Sequence, residues 1–158
     1  WTYSFWQVRL AHNVLQNVVR RYLQRDTTLI SAIEQLVSLA EKCEEAIKLG
    51  NLDILGKIML DVWLLHQELD PFCSNEFIDL IFKQVHKYTC GYKLVGAGGG
   101  GFAMLIAKDK HAAKGVKEIL QGLSVKVYNW SLFYDSLRTL SNWFHLEYFD
   151  VFIQYIVF

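Results

Sequence analysis

Five of the six residues from 96 to 101 are glycine: Gly96, Gly98, Gly99, Gly100 and Gly101, with Ala97 after the first. Half of the chain's ten glycines lie there. Glycine loses more backbone freedom on folding than any other residue, so such a cluster needs a reason. Either the loop needs positive φ angles, or something must approach its backbone closely. Consecutive N–H groups without side chains form a concave nest that binds anionic oxygens. A hairpin turn needs only one or two glycines. The pattern therefore points to a loop that handles phosphate, with a merely flexible turn as the plain alternative.

Other chemistries fit less well. Gly96-Ala97-Gly98-Gly99-Gly100-Gly101 matches the letters of the dinucleotide fingerprint. That fingerprint opens a helix and places an acidic residue about twenty positions on. Here a strand-like apolar run, residues 102–107, follows the glycines, and the next strand candidate ends in Asn129 and Trp130. No Gly-Lys-Ser/Thr follows as in the Walker loop. No Val-Ala-Ile-Lys strand follows as in protein kinases. The histidines at 12, 66, 86, 111 and 145 have no zinc-ligand spacing, so no metal site is assigned. Glu44 and Glu45 are adjacent on a helix and do not face one another, so they read as a solvated face. No residue is assigned a catalytic role.

The glycines are flanked by two short apolar runs, residues 92–95 and 102–107, which read as strands of a hairpin. Four helices precede it. Apolar residues at 8, 11, 15, 18 and 22 form one helical stripe. Asp26, Thr27 or Thr28 caps a second helix, with Leu29, Ile33, Leu36, Val37, Ala40, Cys43 and Ile47 inward and Gly50 at its end. Asn51 caps a third, with Leu52, Leu55, Met59, Val62, Leu65 and Leu69 inward, and Pro71 stops it. Ser74 or Asn75 starts a fourth, with Phe77, Leu80, Ile81 and Val85 on its buried side. After the hairpin come a helix at 111–120 ending at Gly122 and a third strand at 125–128. The aromatic residues 1–6 are a further strand candidate. The expected fold class is α+β: a helical cluster packed on a small, mostly antiparallel sheet.

At 158 residues the chain has room for one core, burying roughly 68–70% of its unfolded surface. Sixteen basic and sixteen acidic residues cancel, leaving no basic stripe for nucleic acid. Three cysteines without CxxC spacing favour a reduced, cytoplasmic setting over a disulfide framework. No run reaches the ~18 apolar residues of a membrane span, so no membrane partner is expected. The first residue is Trp, which suggests a fragment or a processed product.

Lys93-Leu94-Val95-Gly96-Ala97-Gly98-Gly99-Gly100-Gly101 resembles the third motif of the GHMP small-molecule kinases. Three further stretches carry the likeness: 20–26 (Arg-Arg-Tyr-Leu-Gln-Arg-Asp), 65–77 (Leu-His-Gln-Glu-Leu-Asp-Pro-Phe-Cys-Ser-Asn-Glu-Phe) and 125–131 (Val-Lys-Val-Tyr-Asn-Trp-Ser). The stretch at 66–77 is most similar to the fucokinase branch. The resemblance implies a ferredoxin-like C-terminal kinase domain over residues 1–131. It also implies that the glycine loop sits beside the transferred phosphate and the sugar. Arg9 matches a position near the substrate cleft, and Lys93 opens the motif. Both are candidate substrate or phosphate contacts, against plainer readings as a helix-start arginine and a strand lysine reaching water. The family's first two motifs, with the magnesium ligand and the catalytic aspartate, are absent here. ATP, Mg and L-fucose are therefore expected to engage the parent enzyme through a missing N-terminal half, and this chain alone is expected to be inactive. The alternatives are a galactokinase-like or heptose-kinase-like sugar kinase, or a non-catalytic helical interaction module.

Where the likeness expects Thr-Gly before Gln7-Val8-Arg9-Leu10, the chain has Ser4-Phe5-Trp6. Residues 132–158 lie beyond the resemblance and are rich in aromatics. They read as a segment foreign to the family, as from an imprecise gene model, or as an amphipathic helix docked on the domain.

Overall fold

The computed structural model describes residues 15–96, 98–129 and 153–157. Residues 15–23 form a helix, α1. It is followed by α2 (Thr27–Lys48), α3 (Leu52–Leu69), a 3-10 turn (Pro71–Cys73) and α4 (Glu76–Val85). Then come a second 3-10 turn (His86–Tyr88), β1 (Thr89–Leu94), β2 (Phe102–Ala107), α5 (Lys110–Gly122), β3 (Lys126–Asn129) and β4 (Ile153–Val157). The strand candidate at 1–6 lies outside the described residues.

Helix ends follow from local chemistry. Asp26 caps α2, its carboxylate accepting the N–H groups of Thr28 (3.0 Å) and Leu29 (3.1 Å). Asn51 caps α3, Asn75 caps α4 and Asp109 caps α5, each accepting one N–H from the first turn. Gly50 ends α2 at φ +63, with Gly50 N–H bonded to Ile47 and Asn51 N–H to Ala46, a Schellman closure. The same closure recurs without glycine at Arg25 (φ +56) after α1 and at Ser124 (φ +59) after α5. Helix α5 thus runs through Gly122, the residue expected to end it. Pro71 has no N–H to extend α3, and Asp70 ahead of it is extended (φ −151, ψ 115).

The inward stripes differ in detail from the expected ones. On α2 the buried residues are Leu29, Ala32 and Ala46, while Val37 and Ile47 are exposed. On α4 they are Ile78, Ile81, Phe82 and Val85, while Phe77 and Leu80 are exposed. A short apolar-rich helix offers two overlapping stripes, and the partner surface decides between them. On α3, Trp63 joins the core and meets Phe82 edge to face at 5.5 Å. Phe82 also stacks on Tyr92 at 4.4 Å. Each such pair contributes about 0.5–1.5 kcal/mol beyond area burial.

The sheet order is β1-β2-β4-β3, and every pairing is antiparallel. One face, with Tyr92, Leu94, Ala103, Leu105 and Val127, packs on α4 and α5 through Ile81, Phe82, Val85, Val116 and Leu120. The other, with Cys90, Met104 and Ile106, packs on α3 through Leu52, Leu55 and Met59. The α+β expectation holds. The third strand does not join the hairpin directly, however: Ile153–Val157 pairs with Phe102–Ile106 on one side and Lys126–Asn129 on the other. This part of the aromatic tail is thus an inner strand rather than a docked helix.

Candidate functional site

The hairpin closes where the Val95 N–H bonds to the Phe102 carbonyl at 2.8 Å, leaving residues 96–101 as the loop. Gly96, Gly98, Gly99, Gly100 and Gly101 all have positive φ, between 78° and 149°. Side-chain-bearing residues disfavour that region, so the backbone path itself selects glycine. Ala97 lies outside the described residues.

The loop has two different sides. At Gly98 an added Cβ would lie 2.6 Å from the Cys73 Cβ and 2.7 Å from its carbonyl oxygen. The Gly99 N–H donates to that same carbonyl, and Gly99 is buried. At Gly96 and Gly101 a Cβ would meet no atom of the described residues within 4 Å. The loop is therefore clamped at its middle on the Pro71–Cys73 turn and open at both ends. Among the described residues, no acceptor takes the N–H of Gly96, Gly100 or Gly101. That open arc of amides is suited to an anionic oxygen.

The clamp is built by Asp70, which is 1% exposed. Its carboxylate accepts the Phe72 N–H at 2.9 Å, and its carbonyl accepts the Cys73 N–H at 3.0 Å. Burial, aided by the nearby Asp70 charge, pushes the Cys73 thiol up to about 11. Cys73 thus stays a neutral packing group under the loop. The signal for this clamp was in the sequence as Asp-Pro after a helix, but which strand loop it would hold was not.

Lys93 is half-buried on the β1 face that packs toward α3. Burial lowers its pKa, and its charge is felt by Cys43 on α2 and His66 on α3. Burial, with that lysine charge, lowers the His66 pKa as well, so the imidazole is neutral. Lys93 is thus brought near Cys43 of α2 and His66 of α3. Arg9 lies outside the described residues. Among the described residues no three His, Cys, Asp or Glu side chains gather as a metal site. None of the described helices is long and apolar enough to cross a membrane.

A glycine hairpin with an open amide arc, seated on a helical cluster, places the chain by class. Residues 43–123 match the family described as GHMP kinases C terminal, and the chain belongs to that family. It is 54% identical over 129 residues to a bifunctional fucokinase/GDP-fucose pyrophosphorylase of Arabidopsis thaliana, covering 80% of this chain. It is 30% identical over 112 residues to an L-fucokinase/L-fucose-1-P guanylyltransferase of Bacteroides fragilis, covering 71%. The chain spans only 12% of the length of either relative.

Proposed function

We propose that this chain is the C-terminal lobe of an ATP-dependent kinase that phosphorylates L-fucose at its anomeric hydroxyl, in the cytoplasm, feeding GDP-L-fucose synthesis. In that reaction the sugar oxygen forms a bond to the γ-phosphorus of ATP as the bond to the β–γ bridging oxygen breaks. The hydroxyl proton leaves, and L-fucose 1-phosphate and ADP are the products. The observation that carries this reading is the open arc of the glycine loop. Phosphoryl transfer depends on positioning and charge stabilisation, and bare N–H groups aimed at phosphate oxygens supply both without reorganising. Fucose is the favoured sugar because the names of both relatives include fucokinase.

In this reading the nucleotide phosphates lie beside Gly100 and Gly101, where the backbone carries no side chain and, among the described residues, a Cβ on Gly101 would meet nothing within 4 Å. ATP supplies the phosphoryl group there, and Mg is held by residues of the other lobe. Phe72, Val95 and Phe102 surround the loop and are exposed. Together they offer an apolar rim for that lobe. The direct test is to mix this chain with the N-terminal half of the kinase. We expect no turnover by either part alone, and L-fucose 1-phosphate formation from the mixture. Turnover by this chain alone, or none from a mixture shown to associate, would refute the reading.

A further inference from the structure

We propose that Arg21 is a positioning residue for the glycine loop, acting through the end of α3 and the Pro71–Cys73 turn. Its guanidinium reaches three acceptors on two elements. Nε donates to the Asp26 carboxylate at 2.7 Å, and Nη1 donates to the carbonyls of Leu69 (2.7 Å) and Glu68 (3.0 Å). Those carbonyls belong to the last turn of α3, where helix geometry leaves carbonyls without partners and Pro71 supplies no N–H. One side chain thus ties the cap of α2 to the end of α3.

From there the connection to the loop has no slack. Asp70 follows Leu69 directly, and its buried carboxylate and its carbonyl fix the N–H groups of Phe72 and Cys73. Cys73 then holds the Gly99 N–H on its carbonyl and presses its Cβ against Gly98. A shift of the last α3 turn must therefore move the clamp under the glycines. Three of the stretches that carry the family resemblance, 20–26, 65–77 and the glycine block, are joined by this one hydrogen-bonded path. An exposed ion pair alone contributes little. Here the planar fork of arginine serves three acceptors at once, which a lysine cannot reproduce.

The inference rests on the proposed kinase reading for its catalytic consequence, but its structural part does not. Amide hydrogen exchange of the full chain tests that part. In Arg21→Ala, the Gly99 N–H should exchange at least about tenfold faster, while Leu105 in the sheet core keeps its wild-type rate. Arg21→Lys should fall between. If Arg21→Ala does not fold, Asp26→Asn keeps an α2 cap acceptor but weakens the hold on Arg21, and a severalfold rise at Gly99 alone is expected. A uniform rise at Gly99 and Leu105, or an unchanged Gly99, would overturn the proposal. In the assembled kinase, Arg21→Lys should lower kcat while the KM for sugar stays within about twofold. Equal loss in both would also overturn it. Failure of the wild-type assembly to phosphorylate fucose would count against the kinase reading and leave the exchange result standing.

Discussion

Gly91 and Gly56 meet backbone to backbone where β1 crosses α3. A Cβ on Gly91 would overlap the Gly56 carbonyl group, standing 2.5 Å from its carbon, and one on Gly56 would lie 2.5 Å from the Cys90 Cβ. Neither residue needs positive φ, so the requirement is purely one of space. The contact sets the depth at which α3 lies on β1, and thereby where the α3 end and its clamp stand. Gly91→Ala should lower stability by about 3 kcal/mol or more, because both sides of the collision are backbone and cannot give. A urea midpoint within error of wild type would contradict this.

Arg25 closes α1 in the left-handed region, where a side chain costs about 1–2 kcal/mol. Arg25→Gly removes that strain but frees the unfolded chain. The net expectation is a gain of about 0.5–1 kcal/mol, read as a higher thermal midpoint. Ser124→Gly should act in the same direction after α5, since Ser124 has φ +59.

The thiols report the packing separately. Burial raises all three cysteine pKa values, Cys73 and Cys90 to about 11, the latter also through its hydrogen bond to Asp53 at 3.2 Å. Folded thiols that hold protons more tightly than the ordinary thiol value of 9.0 contribute stability that is intact below pH 9. It is lost as the pH rises toward about 11. The lowered pKa of Lys93 acts in the opposite sense, because its neutral form suits the buried site. Alkylation of the native chain at pH 8 should label Cys43 first and Cys73 last, as peptide mapping would read. Early labelling of Cys73 would contradict its place under the loop.

Much of this architecture was legible in local chemistry. Asp26, Asn51 and Asn75 stand where caps belong, Pro71 stops α3, and five glycines between apolar runs make an open hairpin. What was not legible is pairwise. Helical periodicity names a stripe, yet only the partner surface decides that Ile78 and Phe82 turn inward while Phe77 and Leu80 turn out. The Gly56–Gly91 contact joins residues 35 positions apart, and neither glycine alone states its partner. The hold of Cys73 on the glycine loop leaves no mark in the sequence because its carbonyl, rather than its thiol, makes the contact. The β2–β4 pairing, likewise, depends on a strand far along the chain.

Turnover of the assembled kinase carrying Gly101→Ala tests the phosphate-facing role of the loop most directly. Among the described residues a Cβ there meets no atom within 4 Å, so the lobe should stay folded, with only the backbone strain of about 1–2 kcal/mol. If the bare amides face the transferred phosphate, kcat falls at least about tenfold through lost positioning and charge stabilisation. Undiminished kcat in a folded, associated variant would contradict the account.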